Sequence, residues 1–167
     1  NYLGLSSHPE VVKAAHAGLD ERGYGMASVR FICGTQDIHK KLEERLTAFL
    51  GTEDTILSPS CMDANAGVFE AVLGEQDVMI SDRLVHASIV DGAILAKSKT
   101  TFFRHNNPLD LERKLGRCAG KKLVVVEGVY SMDGDVCALP EIVEVAKRHG
   151  ARILIDEAHS TFLFGPN

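Results

Sequence analysis

Ile153-Leu154-Ile155-Asp156-Glu157-Ala158-His159-Ser160 is the stretch on which the reading of the fold turns. An apolar run of strand character stops abruptly on two carboxylates, and a histidine stands three residues past the first of them. In open α/β sheets, ligands bind outside the carboxyl ends of the strands, so Asp156 and His159 are expected to project into the crevice where chemistry is done. Acidic residues at a strand end also cap the next helix or face water, and from this segment alone the two readings weigh about evenly.

Working outward, Pro140 sits in the first turn of a helix that runs to Arg148 and stops at Gly150. Before it, Lys122 to Glu127 carries Leu123-Val124-Val125-Val126, whose lack of alternation marks a parallel strand buried on both faces. Pro108 to Leu115 reads as a short helix, Thr100 to Phe103 as a strand, His86 to Ala96 as a helix and Asp77 to Ser81 as a strand. Further upstream, Ala64 to Leu73 is predicted helical, and Thr55 to Leu57 is a short β-prone run broken by Ser58-Pro59-Ser60. Asp37 to Leu50 places Ile38, Leu42, Leu46 and Phe49 on one helical face before Gly51. Val11, Val12, Ala15 and Leu19 follow helical spacing as far as Gly23, and Gly23 to Gly34 is irregular. Strands alternating with helices at βαβ spacing predict an α/β fold of three layers, a mostly parallel sheet covered on both faces.

The 167 residues fit one domain, and 45% apolar with 25% charged residues excludes the disordered and fibrous classes. A net charge of -5, with the 18 basic residues spread along the chain, leaves no electrostatic footprint for nucleic acid or an anionic membrane. No run is long enough to span a bilayer. Cys33, Cys61, Cys118 and Cys137 form no C-x-x-C pair, so no zinc or redox motif arises, and they read as the reduced thiols of a cytoplasmic protein. The chain opens on Asn1 without a methionine and stops at Gly165-Pro166-Asn167, which predicts a piece of something longer.

Two enzyme classes place Asp-Glu-Ala-His at a strand end. A helicase-type P-loop ATPase would also need a strand leading into G-x-x-x-x-G-K-[ST]. Gly116 to Lys122 is one residue too short between its glycines, lacks the hydroxyl, and precedes a strand where it should follow one. The other class uses pyridoxal 5'-phosphate (PLP) as an electron sink, which works while the pyridine nitrogen is protonated. A carboxylate at a strand end holds that proton. Asp156 suits the role, and His159 is placed to donate to the phenolic oxygen O3'. Ser131, in Glu127-Gly128-Val129-Tyr130-Ser131-Met132-Asp133-Gly134, falls at the carboxyl edge of the preceding strand, although a serine in a turn is most often a local hydrogen-bonder. Ser60-Cys61-Met62-Asp63-Ala64-Asn65 opens a helix, where free N–H groups suit a phosphate and where capping by Ser60 or Asp63 is the ordinary alternative. His86 opens another helix at a strand end, where it could stack on an aromatic cofactor or serve no special role.

Taken together, these motifs resemble the α-oxoamine synthases, PLP enzymes of the aminotransferase-like fold type I, across essentially the whole chain. The matching stretches are Asn1-Tyr2-Leu3-Gly4-Leu5, Gly34-Thr35 leading to His39-Lys40-Lys41-Leu42-Glu43, Asp82 with His86-Ala87-Ser88, Glu127 to Gly134, and Asp156-Glu157-Ala158-His159-Ser160 running into Phe164-Gly165. The resemblance implies the N-terminal part of a PLP-binding large domain, in a homodimer that condenses an acyl-CoA with a small amino acid. It implies that the Cys61 and Met62 amides hold the PLP phosphate, and that His86 stacks on the ring and steers the substrate. Ser131 and His159 would contact O3', and Asp156, within the cofactor-binding run Asp156-Glu157-Ala158-His159, would pair with the pyridinium nitrogen.

Gly25 to Gln36 is most similar to members that join glycine and acetyl-CoA, or cleave 2-amino-3-oxobutanoate in reverse. The 8-amino-7-oxononanoate synthases and serine palmitoyltransferases share the cofactor motifs. Thr161-Phe162-Leu163-Phe164 is bulkier than the family's usual small residue and could reshape the acyl pocket. The resemblance puts the Schiff-base lysine beyond the Asp-x-x-His motif, where this chain has none, so the 167 residues alone are expected not to turn over. The competing non-enzyme expectation is a short homologue that binds PLP weakly or serves as an interaction module.

Overall fold

A computed structural model describes residues 1–25 and 27–163; the parts of the matched motifs that fall on Met26 and on Phe164-Gly165 lie outside them. The chain divides into two compact units, Asn1–Leu57 and Ser58–Asn167.

In the first unit, α1 (Pro9–Arg22) starts with proline where a missing N–H costs nothing, and the His8 side chain accepts from the Glu10 amide at 3.3 Å. A π-type turn, Arg30–Gly34, closes on a Gly34 N–H to Val29 O bond of 2.9 Å, adding order to a segment predicted irregular. α2 (Asp37–Leu50) opens with a reciprocal cap between Gln36 and His39 and ends at Gly51, whose φ of 65° favours glycine. Buried Glu43 on α2 pairs with Arg30 and Lys40, and those two cations hold its carboxyl well below the usual carboxylate range. The predicted strand at Thr55 to Leu57 joins no ladder among the described residues. With no strand alongside, the Leu57 N–H donates instead to Glu43 Oε1 at 3.2 Å.

The second unit contains α3 (Cys61–Val72), β1 (Val78–Asp82), α4 (Ala87–Leu95), β2 (Lys99–Phe103), α5 (Pro108–Leu115), β3 (Lys122–Glu127), α6 (Leu139–Arg148) and β4 (Arg152–Asp156). The strands form one wholly parallel sheet in the order β2-β1-β3-β4. Period-two alternation splits the core into two faces. Ile80, Val124 and Val126 pack with Leu111 of α5 and Ile142 and Val145 of α6, while Met79, Leu123 and Val125 pack with Phe69 of α3 and Ile89 and Ala93 of α4. These are the three predicted layers. α3 and α4 approach so closely that a Cβ on Gly92 would stand 2.6 Å from Asn65 O and 2.7 Å from Phe69. Among the described residues no helix is long and apolar enough to cross a membrane.

Two features of the sheet position a site. The chain runs from β1 outward to β2, then returns past β1 to β3, so the direction of winding reverses between β1 and β3. Three of the strands end on acids: β1 on Asp82, β3 on Glu127 and β4 on Asp156, which are 0%, 2% and 8% exposed. Buried acids need donors or cations, and the rest of the site supplies them.

Candidate active site

Asp156 anchors the site. Its Oδ2 accepts from Asn65 Nδ2 at 2.8 Å, and its Oδ1 accepts from the Ala158 amide at 3.0 Å and from the Cys61 thiol at 3.4 Å. Desolvation and then the Asp156 charge push the Cys61 thiol up to about 11, so the sulfur remains a donor at neutral pH. Asn65 lies one helical turn after Cys61, on the same face of α3, which brings both to one carboxylate.

His86 caps α4. Its Nδ1 accepts from the Ser88 amide at 3.2 Å and stands 2.7 Å from Ser88 Oγ, which in turn lies 3.0 Å from Asn65 Nδ2. Glu127 fastens this corner from the sheet side, for its carboxylate takes the backbone N–H of His86 and that of Ser131. Burial raises the Glu127 carboxyl, Asp156 adds to the rise, and the two amides and His159 pull against it.

Cys61, Met62, His86, Asp156, Ala158 and His159, all expected from the sequence, line one cavity of about 160 Å³ together with Ser88 and Glu127. Ser131 and Glu157 do not line it. Ser131 is exposed on the turn after β3 and reaches the site through its backbone bond to Glu127. Glu157 is exposed, and its carbonyl accepts the Ser160 and Thr161 amides in the turn that carries His159.

Sequence reasoning missed the roles of Asn65 and Ser88. A polar residue one turn from Cys61, on the same face of α3, was the available signal. Glu127 carries no role in the sequence pattern, and the structure has it hold the His86 backbone N–H.

At the start of α3, Ser60 Oγ accepts from Asp63 N–H at 3.1 Å and Ser60 O from Ala64 N–H at 3.1 Å. Ordinary capping is therefore present. Among the described residues the N–H groups of Cys61 and Met62, the two nearest the cavity, have no such partner.

Asp82, the third strand-end acid, serves a different cluster. Its Oδ1 accepts from Leu84 N–H at 2.9 Å and meets His105 Nδ1 at 2.9 Å, while Oδ2 accepts from Asn106 N–H at 2.8 Å. The other nitrogen of His105 meets Asp135 Oδ2 at 2.8 Å, and its ring stands edge-on to Tyr130 with centroids 4.5 Å apart. Burial lowers the affinity of His105 for a proton, and the two carboxylates outweigh it, so the net shift is upward. A concavity of about 670 Å³ lies at the opposite edge of the sheet among Gln76, Lys99, Lys114 and Arg117 and contains none of these groups.

The family pattern of aminotransferase class I and II matches residues 1–167. The chain belongs to that family. This class I and II chain is 49% identical over 171 residues to the 2-amino-3-ketobutyrate coenzyme A ligase of Escherichia coli K12, covering 100% of itself and 43% of that protein. It is 52% identical to the mitochondrial enzyme of that name from Homo sapiens, over 99% of itself and 40% of the relative. A solved serine palmitoyltransferase from S. paucimobilis with bound PLP–myriocin superposes with a TM-score of 0.95 at 42% identity, covering 98% of this chain and 43% of that one. The chain thus spans about two-fifths of the length of the relatives it matches, and the resemblance to α-oxoamine synthases and their fold is borne out.

Proposed function

We propose that this chain forms the N-terminal part of the PLP-binding large domain of an α-oxoamine synthase, of the type called glycine C-acetyltransferase or 2-amino-3-ketobutyrate CoA ligase. The reaction is the joining of acetyl-CoA and glycine, or the reverse cleavage of 2-amino-3-oxobutanoate. The observation that carries the reading is the buried Asp156 carboxylate, held by Asn65, Cys61 and Ala158 in the same cavity as the unpartnered amides of Cys61 and Met62. That donor set fits PLP: an acceptor for a pyridinium N–H stands with a helix start suited to a phosphate.

When bound, PLP supplies the electron sink for cleaving or forming bonds at the amino-acid α-carbon. Asp156 would hold a proton on the pyridine nitrogen. The amides of Cys61 and Met62 would hold the phosphate, and His86 would contact the ring and help orient the substrate. His159 would donate toward O3', Ser131 would act from outside the cavity through its backbone bond to Glu127, Ala158 keeps Asp156 aimed, and Glu157 shapes the turn that presents His159. Among the described residues no lysine lines the cavity, so the 167 residues alone are expected to be inactive.

A homodimer is proposed on the apolar side chains of the first unit, where Tyr24, Phe31 and Ile56 are 98%, 89% and 85% exposed. A cytoplasmic location is proposed from four free cysteines. The test is CoA release by the full-length gene product from glycine and acetyl-CoA, compared with serine plus palmitoyl-CoA and alanine plus pimeloyl-CoA. Turnover fastest with glycine and acetyl-CoA supports the assignment. Turnover only with a longer acyl-CoA moves it to a sibling, and no PLP uptake at all refutes it.

A further inference from the structure

We propose that Asn65 and Ser88 are positioning residues that fix His86 in the tautomer carrying its proton on Nε2, and tie that choice to Asp156. Asn65 Nδ2 has two hydrogens and no lone pair to offer; its two short contacts are Asp156 Oδ2 at 2.8 Å and Ser88 Oγ at 3.0 Å, and Cys61 Sγ at 3.7 Å is the weakest of its three acceptors. The reversed amide, with its oxygen toward Asp156, would set two acceptors against each other, so the carboxylate determines which way Asn65 points. Ser88 Oγ has then accepted a hydrogen and has its own to place. His86 Nδ1 stands 2.7 Å away and also faces the Ser88 amide N–H at 3.2 Å. A ring nitrogen facing two donors is a lone pair, so the ring proton is on Nε2.

The packing enforces the same order. Asn65 and Ser88 are 4% and 2% exposed, which leaves little room for water to substitute for either partner. The close approach of α3 to α4 at Gly92 brings the Asn65 side chain within reach of Ser88. With Nδ1 committed, the other nitrogen of His86, a residue that lines the cavity, is a donor. It suits a substrate group bearing an acceptor oxygen, a carboxylate or a carbonyl, and does not suit proton abstraction by that ring. The use in catalysis rests on the PLP reading above, whereas the tautomer does not.

The test is long-range ¹H–¹⁵N correlation spectroscopy of the full-length protein carrying ¹⁵N-histidine, with the His86 signals identified by their loss in His86→Gln. The wild type is expected to show a single Nε2–H tautomer. Ser88→Ala and Asn65→Ala are expected to lose that single signature, and Ser88→Thr, which keeps the hydroxyl, to retain it. An Nδ1–H or doubly protonated ring in the wild type overturns the proposal, as does a tautomer unmoved in both alanine variants. If either alanine variant fails to fold, the wild-type spectrum and the remaining variants still decide. A PLP titration of the same samples separates the two readings. Nε2–H without PLP uptake sinks the functional assignment alone, and PLP uptake with an Nδ1–H ring sinks this inference alone.

Discussion

Two histidines stand near the carboxyl edge of the sheet, and their neighbours put them to opposite uses. His105 is held at both nitrogens by carboxylates, Asp82 and Asp135, at 2.9 and 2.8 Å. Both nitrogens must donate, which favours the imidazolium and makes the ring a clamp between the end of β1 and the turn before α6. His86 instead meets donors at Nδ1, which leaves the proton to the other nitrogen of a ring that lines the cavity. The residue type is the same, but the sign of its partners differs. A ring with both nitrogens committed to carboxylates fastens chain segments together, and a ring with one nitrogen spare is available for chemistry.

The strongest way to break this contrast is at the acid behind His86. Asp156→Ala removes the acceptor of Asn65, Cys61 and Ala158 together and should lower turnover of the full-length enzyme by on the order of 10²- to 10³-fold. A loss below about tenfold in steady-state CoA release would deny Asp156 the central place given to it.

At the other histidine, the described partners of Asp82 are all donors, from Leu84, His105 and Asn106. An amide satisfies only one side of such a site, so Asp82→Asn should cost about 1 to 3 kcal/mol in urea unfolding while leaving any PLP spectrum in place. If the spectrum moves as far as it does in an Asp156 variant, the two clusters are not separate.

Gly92→Ala probes the helix approach that underlies the His86 arrangement. The added methyl must displace Asn65 O or the Phe69 ring, an overpacking penalty of about 1 to 3 kcal/mol, and the His86 signature should broaden with it. Unchanged stability would mean that the helices part freely.

The smallest effect is a slope with pH. Burial opposes protonation of His105 and the two carboxylates more than restore it, so its affinity for a proton rises on folding. Its contribution to stability is therefore complete below the unfolded value of roughly 6.5 and is lost as pH rises through the folded one. Melting temperature should fall with pH across that window in the wild type and less in His105→Gln. A slope that survives the substitution assigns it to another group.

Much of the sheet was legible because buried parallel strands leave an unmistakable mark. Leu123 to Val126 lacks alternation and is buried throughout. Punctuation at Pro108, Pro140 and Gly51 located helix ends for local steric reasons, and the strand ending at Asp82 was read one residue early. Thr55 to Leu57 was misread because β-propensity describes a residue's fitness for a sheet and cannot supply the neighbouring strand. In the site, Asp156 and His86 were legible from their places at strand ends. Asn65 was quoted as part of a helix start, but its value depends on meeting Asp156, 91 positions away, and no pattern of three or four residues encodes such a meeting. The pairing of Asp82 with His105 escaped for the same reason.

That separation of 91 positions also bears on the order of events in folding. The pairs β1–β2 and β3–β4 close over single βαβ units, whereas the contact of Asn65 with Asp156 draws together nearly the two ends of the second unit. Strand pairing should therefore precede completion of the cavity, and a nascent chain passes through states that have a sheet but no site. A ligand of that cavity would then meet its ordered binding surface only on molecules that have finished folding.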